Sequence, residues 1–300
     1  MNMPEKNTTV NAGATPARES APASNSSAWD HSTHENFYTY YAEESVSEDA
    51  RVRFRRVRDH ILRVIYNERT LQRTLDVVDI GCGAGTQSMV WAELGHHVHA
   101  LDVNGPLVDL GRKRAAEAGQ TIDFRVGSAT ELPWADESMD VCIALELLEH
   151  VMDWESCMRE FTRILRPGGA LFISTTNLLC PVQAEFNLPL YSWYPPFLKR
   201  YYVNLAMTKR PEIANFARYP AFHWFTFYGF RKWLCHRGFR SLDRFDIMDL
   251  EEKSAVGRWV ISLVRAVPPL RWVGQVFTRG TILLAIRENG PQKTICRGQV

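Results

Sequence analysis

The sequence predicts an α/β fold, a doubly wound sheet of mostly parallel strands, and three features carry the prediction. Val77-Val78-Asp79-Ile80 is an apolar, β-branched run that breaks into Gly81-Cys82-Gly83-Ala84-Gly85, with glycine at every second position. Val98-His99-Ala100-Leu101 is a second short apolar run, and it ends in a carboxylate, Asp102, 17 positions after Gly85. Strand-like and helix-like stretches then alternate to residue 176, as parallel strands joined by crossovers require.

In chain order, residues 1–28 are rich in Ala, Ser, Thr, Asn and Pro with almost no large apolar side chain. They cannot bury enough surface to offset chain entropy and read as a disordered tail. No apolar h-region marks them as a secretory signal, and Lys6 and Arg18 alone make a poor transit peptide. Residues 29–75 are expected to be a helical cover, because between Arg51 and Leu75 the residues Val57, Ile61, Leu62, Val64 and Ile65 recur near helical spacing among arginines.

Residues 76–176 form the α/β core. Strands are expected at Val77–Ile80, Val98–Leu101, Ile122–Val126, Val141–Leu145 and Ala170–Ser174, with a helix at Trp154–Leu165 and a tight turn at Arg166-Pro167-Gly168-Gly169. Residues 177–221 leave the alternating pattern. Asn187 to Tyr202 is dense in aromatics and prolines, as in a rigid lid with aromatic walls or an ordinary packed subdomain. Residues 222–290 return to the core with a helix at Phe225–Phe239, a strand near Leu242–Ile247 and a last strand at Thr281–Ile286. They enclose an amphipathic insertion, 251–278, in which Trp259 and Trp272 lie among Arg258, Arg265 and Arg271. The arginines and Pro268-Pro269 break it too often for it to span a bilayer; it suits an element lying in a membrane interface, or a helix covering the sheet. Residues 291–300 are a short tail.

The whole chain of 300 residues supplies one large domain or two small ones. A net charge of +1 gives no bulk attraction to nucleic acid. Six cysteines fall without a C-x-x-C pair, which indicates neither a zinc knuckle nor a disulfide framework and makes a reducing cytoplasm the simplest setting.

Glycine lacks Cβ, so a run such as Gly81, Gly83, Gly85 lets a ligand lie against the backbone. Its third glycine comes one residue earlier than in the dinucleotide fingerprint G-x-G-x-x-G. This D-I-G-C-G-A-G run resembles motif I of the class I S-adenosylmethionine (SAM) methyltransferases, and Leu165-Arg166-Pro167-Gly168-Gly169 is similar to the family's L-[RK]-P-G-G element. The resemblance covers roughly residues 50–176 and 220–286. It implies a Rossmann-like seven-stranded sheet of order 3-2-1-4-5-7-6, last strand antiparallel, with the aromatic insertion as a lid. It further implies SAM as cofactor, with Asp79, Gly81, Gly83 and Gly85 lining it and Asp102 accepting both ribose hydroxyls. Gly127-Ser128-Ala129 through Trp134 is similar to the family's G-D-A-x-x-L-P-F segment, which places Ser128 and Ala129 at the adenine, although Ser128 replaces the usual acid.

Leu145-Glu146-Leu147-Leu148-Glu149-His150-Val151 resembles the E-x-x-E-H-V of ubiquinone-pathway O-methyltransferases and of small-RNA 3′-terminal 2′-O-methyltransferases. Positions i, i+3 and i+4 share a face if the stretch is helical. Two chemistries stand open. In one, Glu146, Glu149, His150 and His223 hold Mg²⁺ or Mn²⁺, which acidifies a substrate hydroxyl. In the other, no metal binds and His150 or His223 acts as general base beside Glu149, with Glu146 against the cofactor.

The expected function is SAM-dependent O-methylation of a hydroxylated small molecule, such as a prenylated phenol or a lipid- or sugar-linked intermediate, by a cytoplasmic protein with peripheral contact to a membrane surface. Three alternatives differ in class. An RNA 2′-O-methyltransferase should carry a stronger basic excess; an NAD-binding oxidoreductase is disfavoured by the glycine spacing; a non-catalytic SAM-binding regulator would keep the loop without turnover. Oligomeric state leaves no mark in the sequence.

Overall fold

The computed structural model describes residues 45, 47–68, 74–183, 185–214, 220–251 and 253–288. The tails 1–28 and 291–300, and residues 29–44 of the N-terminal cover, lie outside them. Seven strands, β1 (Asp76–Ile80), β2 (His97–Asp102), β3 (Ile122–Val126), β4 (Met139–Leu145), β5 (Leu165–Thr176), β6 (Phe239–Asp243) and β7 (Gly280–Arg287), form one sheet in the order β3-β2-β1-β4-β5-β7-β6. This is the expected order. β7 runs antiparallel to both neighbours, pairing Ala170 with Ile286 and Phe239 with Arg287.

The central strands are buried on both faces, which is why they read as unbroken apolar runs rather than alternating ones. Val78, Cys142 and Ile173 point to one face, where Met158 and Phe161 of α4 (Trp154–Ile164) and Phe230 and Leu234 of α6 (Phe227–Cys235) cover them. Val77, Val141 and Phe172 point to the other, under Ile61 and Ile65 of α1 (Glu48–Glu68) and Trp91 of α2 (Thr86–Ala92). α3 (Gly105–Glu117) packs Val108 and Ala115 on Phe124 of β3. Cys82, Cys142, Cys157 and Cys180 are buried free thiols, whereas Cys235 is disulfide-bonded, which the irregular cysteine spacing did not indicate.

β5 begins at Leu165 rather than Ala170, so the turn expected at Arg166-Pro167-Gly168-Gly169 is taken into the strand, and two further boundaries differ for local reasons. The strand expected near Leu242–Ile247 lies at Phe239–Asp243, because the Asp243 carboxylate accepts from the Phe245 and Asp246 amides while Asp246 accepts from the Asp243 amide. This capping box turns the chain into α7 (Arg244–Ile247). α6 begins only after Thr226, whose hydroxyl caps it by accepting from the Gly229 amide.

The aromatic insertion carries α5 (Pro196–Thr208) and its own small core, in which Phe186 stacks on Tyr191 at 3.9 Å. Between β6 and β7 the amphipathic insertion forms two helices, α8 (Ala255–Ala266) and α9 (Pro268–Val276), divided at Val267 where the proline pair starts the second. Among the described residues no helix is long and apolar enough to cross a membrane.

Candidate active site

At the carboxyl end of β1 the chain turns with Gly81 at φ 74°, Gly83 at 53° and Gly85 at 77°. The Gly81 and Cys82 amides donate to the Leu101 carbonyl at 2.8 and 3.1 Å, which ties the loop to β2. Gly85 is constrained twice over. Besides its positive φ, a Cβ there would lie 2.6 Å from the Phe124 ring.

Asp102 holds the loop from the side. One carboxylate oxygen accepts from the Gly83 amide at 2.9 Å and the other from the Asn104 amide at 2.8 Å. Burial pushes its pKa up, opposed by these amides. α3 is capped by Asn104, whose side chain accepts from the Leu107 amide, so Asp102 is spared that task. Each of its oxygens retains a second lone pair for a ribose hydroxyl. Asp79 lies deeper and accepts from the Ser88 hydroxyl at 2.6 Å. Burial pushes its carboxyl up to about 7, opposed by Ser88 and assisted by the charge of Asp102.

A cavity of about 170 Å³ opens over this loop, lined by Asp79, Gly81, Gly83 and Glu146 and, from α1, by Arg53 and Phe54. Gln87 also lines it. Both amide atoms of that side chain are buried without a partner among the described residues. A buried amide with no partner is costly unless a ligand satisfies it. The lining fits the amino-acid end of SAM, with the Asp79 acid for its positive charge and Gln87 and Arg53 for its carboxylate, while Asp102, bonded to the Gly83 amide beside the cavity, offers an acceptor to a ribose. The sequence reading missed Gln87, Arg53 and Phe54; only the place of Gln87, two positions past Gly85, was a usable signal.

In the segment expected at the adenine, Ala129 is buried, whereas Ser128 is exposed, with its hydroxyl 2.7 Å from that of Thr130. Trp134 belongs to the core, edge-on to His99 and beneath the Arg125 guanidinium.

The E-x-x-E-H stretch departs from expectation. It is a turn rather than a helix, because Glu146 leaves β4 at φ 47° and the His150 amide closes on the Leu147 carbonyl. Glu146 is exposed and accepts from the Ser174 hydroxyl. Glu149 turns inward, fully buried; one oxygen accepts from the Thr175 hydroxyl at 2.7 Å, and the other has no partner among the described residues. Burial, and after it the neighbouring Glu146, raise its pKa well above the ordinary glutamate value. The segment carrying His223 docks on the same turn, its Phe222 and His223 amides donating to the Glu149 carbonyl. The His223 ring points to the Met152 carbonyl, with Nε2 3.2 Å away. A carbonyl only accepts, so Nε2 is the donor there and, in the neutral ring, Nδ1 is the acceptor.

The expected metal quartet is therefore not assembled. Among the described residues no three His, Cys, Asp or Glu side chains converge as metal ligands. Glu149 faces Thr175 and the His223 ring faces Met152, so Glu146, Glu149, His150 and His223 do not fit Mg²⁺ or Mn²⁺. The fold brings Glu146 and Glu149 together instead, with Glu185 of the insertion nearby, its pKa raised by burial and by Glu146.

Residues 78–173 match the family described as a methyltransferase domain. Over 102 residues the chain is 40% identical to the ubiquinone biosynthesis O-methyltransferase of Xanthomonas euvesicatoria pv. vesicatoria (strain 85-10), covering 34% of this chain and 43% of that protein. Over 103 residues it is 36% identical to the protein of the same name from Sinorhizobium fredii (strain NBRC 101917 / NGR234), covering 34% and 42%. The match thus takes in less than half the length of these curated relatives. A solved structure described as a candidate sarcosine dimethylglycine methyltransferase, from Galdieria sulphuraria, superposes with a TM-score of 0.53 over 85% of this chain and 98% of its own, at 16% identity, a likeness of fold. Residues 78–173, which carry the glycine loop and the acidic end of β2, thus match a methyltransferase domain, and the sheet around them has the strand order of a Rossmann-like methyltransferase fold.

Proposed function

We propose that this protein methylates a hydroxyl oxygen of a small molecule with an aromatic or lipid-like body. The observation that carries the reading is a juxtaposition at the carboxyl ends of β1, β4 and β5. The cofactor cavity is bordered by Glu146, and the turn that follows holds, through the Glu149 carbonyl, a histidine whose Nδ1 keeps its lone pair. SAM, when bound, supplies a methyl group already activated on a sulfonium, so the protein must chiefly align the acceptor and take its proton. His223 accepts that proton as general base. Glu149, buried and bonded to the Thr175 hydroxyl, is a positioning residue that fixes the turn from beneath. The relatives named as ubiquinone biosynthesis O-methyltransferases and the aromatic insertion support the acceptor class. Tyr191 is edge-on to Trp224, and Lys199 lies over the same indole at 5.0 Å.

The test is release of S-adenosylhomocysteine with hydroxylated aromatic and lipid-linked acceptors. His223→Ala should cut turnover by about 10²–10⁴-fold while leaving SAM affinity unchanged, and turnover should survive EDTA. If EDTA abolishes turnover and Mg²⁺ restores it, the metal-free reading fails; if His150→Ala is the crippling variant and His223→Ala is not, the base moves to His150.

Asp79 gives a second check. Its carboxyl, with a pKa of about 7 in the fold, stabilises the ligand-free protein only while protonated. That contribution is full below the unfolded value near 4 and is lost as pH rises through about 7. Asp79→Asn should therefore raise the melting temperature at about pH 8, scarcely change it at about pH 4, and weaken SAM binding at the higher pH. A variant melting below the parent at the higher pH would contradict this assignment.

A further inference from the structure

Helix α8 presents a contradiction between its sequence and its surroundings. Arg258, Ser262 and Arg265 share one side of the helix and Val256, Trp259, Val260 and Leu263 lie on the other, an amphipathic pattern that ordinarily turns its apolar face to a core, yet no residue of α8 is buried. Its outward face carries Val256, Trp259, Val260 and Leu263 at helical spacing, with Val256 72% and Trp259 67% exposed. α9 and the residue after it extend the surface with Trp272 and with Phe277, which is 80% exposed. An apolar surface of this kind marks an interaction site rather than ordinary scatter.

The inner side of the hairpin shows that it is held in place. Arg265 donates to the carbonyls of Phe245, Asp246 and Met248, and Arg271 makes a two-pronged contact with the Asp243 carboxylate at 2.7 and 2.8 Å. The Gln275 amide joins the same carboxylate at 2.8 Å. Asn177, one residue beyond β5, donates to the carbonyls of Gln275 and Thr278. Ser174 and Thr175, at the end of that strand, hold Glu146 and Glu149. The hairpin therefore ends beside the candidate site.

Charge selects the occupant. From residue 253 to residue 287 the chain has no Asp or Glu. Arg265 and Arg271 face inward, while Lys253, Arg258 and Arg279 are exposed around the apolar face. Apolar and indole side chains rimmed by exposed cations, for which no ion pair is seen among the described residues, complement lipid headgroups of negative charge above acyl chains.

We propose that the α8–α9 hairpin docks this protein on an anionic membrane surface, in the plane of the interface, so that the carboxyl edge of the sheet meets an acceptor residing in the bilayer. The docking itself stands without the methylation reading; only the statement about the acceptor rests on it.

The experiment is flotation of the full chain with vesicles of phosphatidylcholine alone and of equimolar phosphatidylcholine and phosphatidylglycerol. The parent should float with the anionic vesicles, bind the neutral ones far less, and lose binding as salt is raised. Trp259→Glu combined with Trp272→Glu should lower binding by about tenfold or more, with the melting temperature and S-adenosylhomocysteine binding unchanged as evidence of an intact fold. Val256→Glu is the milder variant should the double one unfold. No flotation of the parent, equal flotation of parent and variants, or a parent dimer that the variants dissolve and that does not bind vesicles would overturn the proposal. None of these outcomes depends on turnover, so failure of docking and failure of O-methylation are read separately.

Discussion

Gly85→Ala is expected to destabilise the protein by about 2–5 kcal/mol and to abolish measurable SAM binding. Two costs add. The residue sits at φ 77° as the N-cap of α2, a region in which a side chain strains the backbone. The new methyl would also stand 2.6 Å from the Phe124 ring, which is itself lodged between α3 and the loop with Ala100 and Val108. Relief requires either Phe124 to leave its site or the loop to lift, and lifting it breaks the hydrogen bond that the Gly83 amide donates to the Asp102 carboxylate. Chemical denaturation would measure the first effect and calorimetry the second. A variant with parental stability and affinity would mean that the loop is far looser than its packing indicates.

Asp243→Ala is expected to cost about 3–5 kcal/mol and to release the α8–α9 hairpin. The carboxylate is fully buried and serves as cap of α7, partner of Arg271 and acceptor for Gln275 at once. Removing it leaves the Arg271 guanidinium with only Asp246 against it. Burial raises the Asp243 pKa, but the Arg271 bonds and charge outweigh burial and hold it below the usual value. Its stabilisation is therefore complete above the unfolded pKa near 4 and is lost as pH falls through the lowered value, so acid should loosen the hairpin. Hydrogen exchange of the α8 and α9 amides, faster in the variant while β1 and β4 stay protected, would report this. Uniform protection in the variant would contradict it.

The parts of the fold legible in sequence were those whose cause is local. Val77–Ile80 followed by alternate glycines could hardly be other than a central strand and a ligand turn, and Pro268-Pro269 announced the break between α8 and α9. Misreadings arose where a side chain acts at a distance. Asp243 looked like the middle of a strand because nothing nearby in sequence reveals that it caps α7 and meets Arg271. Glu146, Glu149 and His150 have helical spacing, but the chain there has just left β4, and Glu146 in the left-handed region turns Glu149 toward Thr175 instead of alongside His150. Asp102 read as a ribose ligand, and the structure adds that it accepts from the amides of Gly83 and Asn104, so this carboxylate builds the loop. Gln87 had only its place after Gly85 to mark it, because a glutamine in a helix is ordinary until its amide is found buried, with no partner among the described residues, beside a cavity.

The most direct measurement is a calorimetric titration of the chain with S-adenosylhomocysteine, in parallel with Asp102→Ala. One molecule should bind per chain, and the variant should bind about 1–3 kcal/mol more weakly, since the ribose hydroxyls lose a charged acceptor. Absence of binding, equal affinity in the variant, or NAD⁺ binding in place of S-adenosylhomocysteine would contradict the assignment of the glycine loop and Asp102 as a SAM site.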